Sequence, residues 1–305
     1  MISIVTATRN DAYDGDSLHR NQAFISGITW QAQKHGLDME LVVVEWNPPP
    51  DRPLLKDAIR WPKGKQAKIR ILLVPKEVHD QVENSHIIPF FQMQAKNCGI
   101  RRARGKWVLC TNADLLYSHE LVAWLATADA KGHLDERLYY RAPRFDTNLR
   151  RVSDPPELLN PYMVDVWLEA LREHVTEEHN APPGKDDVFT DACGDFTMLH
   201  RDAWAALKGY PELGRWSPHI DSLLLFMARA EGYGEHCIPH PMYHLCHDKA
   251  LVGLDAVKAE YPYPVINLLT EFEPWKKLML RTGKSRTPND ENWGFANADI
   301  VEIEI

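Results

Sequence analysis

The chain has 305 residues, of which 44% are hydrophobic and 26% are charged, and its formal net charge is −8. This balance is typical of a folded globular protein and excludes disordered and fibrous classes. The acidic excess, without a long run of Lys or Arg, argues against nucleic acid as a partner.

One large domain with an appended tail is expected, because a single hydrophobic core stops growing at about 250–300 residues. No apolar stretch approaches the ~20 residues that a membrane span needs, so a cytoplasmic protein, at most peripheral to a membrane, is expected. The five cysteines are widely spaced and form no CxxC pair, which favours reduced thiols over a disulfide framework.

The first 115 residues alternate strand and helix signals. Strands are predicted at 2–6, 41–44, 69–74 and 106–111, and helices at 17–35 and 89–104. This alternation predicts an α/β fold with a mostly parallel, Rossmann-like sheet flanked by helices.

The second half is less regular. Residues 145–190 are rich in Pro and charge around a helical stretch at 164–178, and they are interpreted as a helical insertion or lid over the sheet edge. A strand at 195–199 and helices at 202–207 and 221–231 follow. Beyond residue 251 a C-terminal extension leads to a short strand at 300–305, and it is expected to fold back on the domain.

Polar residues follow three predicted strands, at 6–10, 45–47 and 112–114. In open α/β sheets, ligands bind just beyond the carboxyl ends of the strands. Asp114 is placed to hold a hard divalent cation, which would neutralise a phosphate-bearing ligand. The alternative is that Asn112 and Asp114 only cap a helix predicted at 118–126.

Two other groups have possible chemical roles. His240, His244 and His247 lie in one short run beside Asp248 and could converge on a cation, or they could be unrelated histidines. Asp195 follows Cys193-Gly194, and Asp221 opens a predicted helix. A carboxylate at a helix N-terminus is stabilised as the anion and suits proton acceptance, although Asp221 could also be a simple N-cap.

The order of these segments resembles the GT-A glycosyltransferases over residues 1–250. Residues 2–10 resemble the family's opening strand and nucleotide-binding loop, and residues 42–47 its second strand. Residues 94–106 are similar to the helix that precedes the metal motif, and residues 112–114 fall at the position of the DxD motif. Residues 194–212 resemble the acceptor-side strand and helix.

The resemblance implies a metal-assisted transfer from a nucleotide diphosphate sugar, UDP favoured, to a carbohydrate or glycoconjugate acceptor. Residues 1–115 would form the nucleotide-binding half, residues 116–250 the acceptor half, and residues 251–305 an extension packed on the domain. The donor would contact Thr6, Thr8, Asn10, Glu45, Asn47, Lys96, Asn97, Asn112 and Ala113.

The resemblance also implies that Asp114 with His244 or His247 holds Mn²⁺ or Mg²⁺. Asp195 would contact the donor sugar or the acceptor, and Asp221 would take the acceptor proton in an inverting reaction. Asn112 replaces the first Asp of the DxD motif, and Ile220 stands where family 2 enzymes commonly have an acidic residue. Residues 45–47 have some likeness to retaining exostosin-type enzymes, so inversion is only slightly favoured.

Two alternatives remain open. A sugar-phosphate nucleotidyltransferase uses a related sheet and metal, but it should have a glycine-rich basic loop after the first strand, which residues 8–13 lack. A GT-A-like domain that binds carbohydrate without turnover is suggested by Asn112.

Overall fold

The computed structural model describes residues 1–11, 15–62, 67–152, 160, 163–180, 188–247 and 260–305. The strands are β1 Ile2–Thr8, β2 Met39–Trp46, β3 Ala67–Val74, β4 Trp107–Thr111, β5 Leu115–Tyr117, β6 Leu138–Arg141, β7 Arg144–Thr147, β8 Val175–His179, β9 Phe196–His200, β10 Gly234–Cys237, β11 Met242–His244 and β12 Val301–Glu304. The helices are α1 Ser17–His35, α2 Leu55–Ala58, α3 Lys76–His79, α4 Gln92–Arg102, α5 His119–Ala130, α6 Met163–Glu173, α7 Arg201–Leu207, α8 Ile220–Ala230 and, after a π-helical turn at Leu268–Phe272, α9 Glu273–Thr282.

The central feature is an eight-stranded sheet in the order β10-β6-β9-β4-β1-β2-β3-β12. Strands β4, β1, β2 and β3 run parallel, while β9 and β12 are antiparallel to their neighbours. Alternate residues of β2 enter opposite cores, with Val42 and Val44 in one and Leu41 and Val43 in the other. Burial on both faces explains the unbroken apolar run of this strand. The predicted α/β class, a mostly parallel sheet flanked by helices, is confirmed.

Helix α4 lies unusually close to the sheet because of one glycine. A Cβ at Gly99 would lie 2.4 Å from Cγ1 of Val5 and 2.9 Å from Cγ2 of Val44. Such distances do not occur between real Cβ atoms and side chains, so any other residue would push the helix outward. Lys96 lies one turn earlier on α4, and its ammonium donates to Oδ1 of Asn112, the residue that follows β4, at 2.7 Å.

A smaller sheet in the order β5-β11-β7-β8 lies beside the large one. The helix predicted at 164–178 is shorter in the structure, because α6 ends at Glu173 and residues 175–179 form β8. Val175 and Thr176 are β-branched and favour a strand. The helix predicted at 118–126 is α5, and its N-cap is Ser118, whose hydroxyl accepts from Leu121 N at 3.2 Å. Asn112 and Asp114 are therefore not its caps.

The C-terminal segment contacts the outer strand of the large sheet. Strand β12 pairs antiparallel with β3, and Glu302 accepts from Arg70, whose guanidinium is buried against Glu40. The ring of Trp293 is buried under the guanidinium of Arg101. The five cysteines are free thiols. Among the described residues, no helix combines the length and the apolar character that crossing a membrane requires.

Strand β2 carries a buried carboxylate at its end. Glu45 is 1% exposed and accepts from Leu55 N at 2.9 Å, and burial raises the pKa of Glu45 to about 7. A folded-state pKa above the unfolded value means that the native state binds the proton more tightly. Stability is therefore lost as pH rises through about 4.5 to 7.

We predict that Glu45→Gln, which keeps a side-chain oxygen for Leu55, becomes more stable relative to the wild type as pH rises from 5 to 8. Denaturant unfolding at the two pH values measures this difference. Glu40→Gln is the control, and its difference in stability from the wild type should stay nearly constant from pH 5 to 8, because Glu40 is ionised in both the folded and the unfolded state over this range. Burial raises the pKa of Glu40, but hydrogen bonds from Ser3, Arg104 and Arg70 outweigh it and lower the pKa. A difference in the free energy of unfolding between Glu45→Gln and the wild type that does not change with pH would contradict the prediction.

Candidate functional site

An open cleft of about 240 Å³ lies at the carboxyl ends of β1 and β4. Its floor includes Thr8, Asn112, Ala113 and Asp114, which were singled out by their position after these strands. The start of α1 and a segment around Pro89 form its walls. The other lining residues are Ala7, Arg9, Asp11, Ser17, Arg20, Asn21, Ile88, Phe90, Gln92, Trp216, Ser217, His247 and Tyr263.

Asp114 lies where the chain crosses from one sheet to the other. Strand β4 of the large sheet ends at Thr111, and β5 of the small sheet begins at Leu115. The carbonyl of Asp114 accepts from Leu245 N at 2.9 Å, so the crossing is fixed to the end of β11. This bond brings the residues after β11 to the same place as the residues after β4.

Two histidines face the Asp114 carboxylate. Oδ2 of Asp114 lies 3.5 Å from Nε2 of His244 and 3.8 Å from Nε2 of His247. One ligand atom from each of the three residues lies within 4.8 Å of the others, and Oδ1 of Asp114 is buried without a hydrogen-bond partner in the described structure. An orphaned carboxylate oxygen next to two imidazoles fits a divalent cation. His240 is not part of this group, and Asp248 lies outside the described residues.

The carboxylate of Asp146 holds the His244 ring with its Nε2 towards Asp114. His244 and Asp146 are partners in the register of β11 and β7, and Nδ1 of His244 lies 2.9 Å from Oδ1 of Asp146. Burial lowers the pKa of His244, but the hydrogen bonds with Asp114 and Asp146 outweigh it and raise the pKa to about 9. The space between the two carboxylates therefore favours positive charge. A carboxylate on the far nitrogen of a metal-binding histidine is a common orienting arrangement.

A network of alternating charges continues from Asp146. Arg144 contacts Asp146 at 3.0 Å and Asp195 at 2.8 Å, and Asp195 also accepts from Nδ2 of Asn112. Oδ1 of Asn112 accepts from Lys96 Nζ at 2.7 Å, and the same ammonium donates to Gly194 O at 2.7 Å. Asp195, Lys96 and Asn112 thus form one hydrogen-bonded unit behind the cleft.

Asp221 lies next to this unit. It occupies the first turn of α8, and its Oδ1 accepts from Ser222 N at 2.9 Å. The N-cap residue of the helix is His219. A Cβ at Gly194 would lie 2.8 Å from Oδ2 of Asp221, so this carboxylate packs directly against the residue that precedes Asp195.

The remaining residues predicted to contact a ligand do not line the cleft, and four of the five have hydrogen-bond partners within the protein. Thr6 is fully buried in β1, and Asn10 donates to Pro53 O at 2.8 Å. Asn47 donates to Pro89 O at 3.3 Å, and the buried Asn97 donates to Tyr210 O at 2.8 Å and accepts from Tyr210 N. Glu45 is occupied by Leu55 N. A ligand role for these five residues stays a prediction.

Several site residues were not predicted. Arg144 and Asp146 lie in the four-residue strand β7, at the start of the segment interpreted as a lid. The alternation in Arg144-Phe145-Asp146-Thr147 is the period-two signal of a strand with one charged face, and it was available in the sequence. Trp216 and Tyr263 reach the cleft from distant parts of the chain, and no local pattern marks them.

Comparisons by sequence find nothing: no protein-family pattern matches the chain, and no curated protein matches it. Comparison by structure finds S. aureus TarS. The complex of TarS 1-349 with UDP-GlcNAc has a TM-score of 0.49 at 11% identity, over 92% of this chain and 70% of that chain. For TarS 1-349 the TM-score is 0.47 at 13% identity, over 80% of this chain. The match covers 60% of the length of TarS 1-349. For the complex of TarS 1-349 with UDP the TM-score is 0.45 at 14% identity, over 79% of this chain and 59% of that chain.

A second group in the described structure, Asp146, Glu177 and His179, also has ligand atoms within 4.8 Å of one another and shares Asp146 with the first. We predict that Asp146→Ala raises the dissociation constant of Mn²⁺ by about 10- to 100-fold, because it removes the partner that orients His244. Glu177→Ala, which alters only the second group, should leave the constant within about twofold. Calorimetric titration with Mn²⁺ measures both. An equal rise in the Mn²⁺ dissociation constant of Glu177→Ala would assign the cation to the second group.

Proposed function

We propose that the chain is a glycosyltransferase that uses a nucleotide diphosphate sugar, with UDP favoured as the nucleotide, and a divalent cation. The observation that carries the proposal is the convergence of Asp114, His244 and His247 at the cleft beyond the parallel strands. The order of motifs that resembles the GT-A enzymes, together with the α/β fold, supports it.

In this proposal Asp114, His244 and His247 hold Mn²⁺ or Mg²⁺, which stabilises the negative charge on a departing nucleoside diphosphate. Asp146 orients His244. Thr8, Asn112 and Ala113 line the floor against which the donor rests. The rings of Trp216 and Tyr263 give the wall of the cleft an aromatic surface suited to stacking on a nucleobase.

The carboxylates of Asp195 and Asp221 differ in how their oxygens are hydrogen-bonded. Both oxygens of Asp195 accept hydrogen bonds, from Asn112 and Arg144, so Asp195 suits positioning of the sugar rather than proton transfer. Asp221 has one oxygen bonded to Ser222 N and a second that packs against Gly194. We assign Asp221 as the base that accepts the proton of an acceptor hydroxyl in an inverting reaction.

A hydrogen bond to Asp195 accounts for an amide rather than a carboxylate at position 112. Its Nδ2 donates to Asp195, and an aspartate at this position would present a second carboxylate to Asp195 instead of a donor. The replacement of the first DxD residue therefore does not by itself support a binding domain without turnover. The nucleotidyltransferase alternative lacks support, because no glycine-rich basic loop follows β1 in the sequence.

We predict that UDP binds in the presence of Mn²⁺ and that Asp114→Asn weakens this binding by at least about tenfold, because one charged ligand of the cation is lost. Calorimetry with UDP, with and without Mn²⁺, measures the effect. Asp57→Asn, on the exposed face of α2, is the matched control. UDP binding that is independent of both metal and Asp114 would refute the proposed site. Release of free sugar from a UDP-sugar would separate an enzyme from a non-catalytic binding domain.

A further inference from the structure

Three exposed leucines lie on the π-helical turn and on helix α9, which follows it. Leu269 is 81% exposed, more than any other large hydrophobic side chain among the described residues, and Leu268 and Leu280 are 42% and 47% exposed. Leu280 lies about three helical turns after Leu269, so the two side chains share one face of the helical segment. Apolar side chains exposed together on one surface indicate an interaction site.

The same segment is basic although the chain is acidic. Residues 268–286 hold five cationic side chains and two carboxylates, in a chain of net charge −8. Four of the five cations are exposed and form no ion pair within the part of the chain that the structure describes: Lys277, Arg281, Lys284 and Arg286. Their charge is therefore available to an anionic partner.

The two carboxylates of the segment are engaged by other cations. Glu271 accepts from Nη1 of Arg215 at 2.6 Å, and Glu273 accepts from Nζ of Lys276 at 2.7 Å. Lys277 lies within electrostatic range of Glu273 but does not bond to it. The positive charge of the outward face is thus only weakly compensated.

The segment is held firmly on the domain. Helix α9 packs against α8, and the indole N–H of Trp275 donates to Arg286 O at 3.1 Å, which folds the residues after the helix back onto it. Ser285 N donates at 2.7 Å to Glu231 of α8, the carboxylate nearest in charge to Lys284. A partner would meet leucines and cations on a framework that is already ordered, which lowers the entropic cost of binding.

We propose that this surface docks the protein on a lipid bilayer that contains anionic lipids. Leucines interleaved with Lys and Arg suit a bilayer, because the leucines enter the boundary of the acyl chains while the cations meet lipid phosphates. A second copy of the chain suits the surface less well, since a symmetric contact would bring like charges together. The docking surface consists of Leu268, Leu269, Lys277, Leu280, Arg281, Lys284 and Arg286.

The docking surface lies close to the wall of the cleft. Trp216 lines the cleft, and its backbone N–H donates to Pro264 O at 2.8 Å. The preceding residue, Arg215, binds Glu271 within the π-helical turn. A bilayer bound at this surface would therefore lie near the aromatic wall of the cleft. Docking does not require a nucleotide in the cleft.

Sedimentation with lipid vesicles tests the role of charge. The full chain should bind vesicles of equal parts phosphatidylcholine and phosphatidylglycerol at least about tenfold more tightly than phosphatidylcholine alone, and high salt should weaken this binding. Lys277→Glu/Arg281→Glu should weaken binding to the mixed vesicles by about tenfold or more. Lys131→Glu/Arg137→Glu makes the same change in net charge at exposed positions elsewhere, so its binding should stay within about twofold of the wild type.

A second pair of variants tests the leucines. Leu269→Ser/Leu280→Ser should weaken binding to the mixed vesicles by about tenfold, because two apolar side chains no longer enter the bilayer. Val166→Ser/Ile305→Ser changes two exposed apolar residues on other elements and should bind as the wild type does. All four double variants should keep the melting temperature of the wild type, since the changed side chains are exposed.

Three results would overturn the proposal. The wild type could remain unbound to both kinds of vesicle, or it could bind both equally at every salt concentration. The two charge-reversal variants could lose vesicle binding to the same extent, which would assign the effect to net charge rather than to the docking surface. Self-association that Leu269→Ser/Leu280→Ser abolishes, without vesicle binding, would assign the surface to a second copy of the chain. The proposed function would stand in each case, because UDP binding is measured without lipid.

Discussion

A continuous series of polar contacts joins the two sheets, and the arrangement of the cleft depends on it. It runs from Lys96 on α4 through Asn112 and Asp195 to Arg144, and from there through Asp146 to His244 and Asp114. Buried charges are costly unless each has a partner, so the position of every member constrains its neighbours. Lys96 is fully buried, and among the described residues its ammonium bonds to an amide oxygen and a backbone carbonyl rather than to a carboxylate. Removing an interior member would leave each of its neighbours with one compensating partner fewer.

Topology explains why residues so distant in sequence meet at this place. Asp114 lies in the short crossing from the large sheet to the small one, and His244 ends β11, which pairs with both β5 and β7. The register of β11 on β7 places Asp146 beside His244. The small sheet thus acts as a frame that brings two imidazoles to the end of a strand in the large sheet. Because these contacts rest on backbone pairing, the orientation of His244 is fixed before any ligand arrives.

The sequence was sufficient for the elements that a local pattern determines. The apolar runs of β1 to β4 and the helical spacing of α1 predict the α/β class, and the polar residues after β1 and β4 lie together in the cleft. Residues such as Asn10 and Asn97 have the right chemistry but bond to Pro53 and Tyr210, which no local pattern reveals. Arg144 and Asp146 were missed because the Pro-rich, charged surroundings obscured a short strand. Trp216 and Tyr263 come from segments whose position is decided only by tertiary packing.

The most direct measurement is anomalous diffraction at the manganese edge from crystals grown with Mn²⁺ and UDP. The account predicts one strong peak within ligand distance of the Asp114 carboxylate and of at least one imidazole of His244 and His247, with UDP phosphate oxygens completing its coordination. A peak at Asp146, Glu177 and His179 instead, or bound UDP with no manganese beside it, would contradict the central claim.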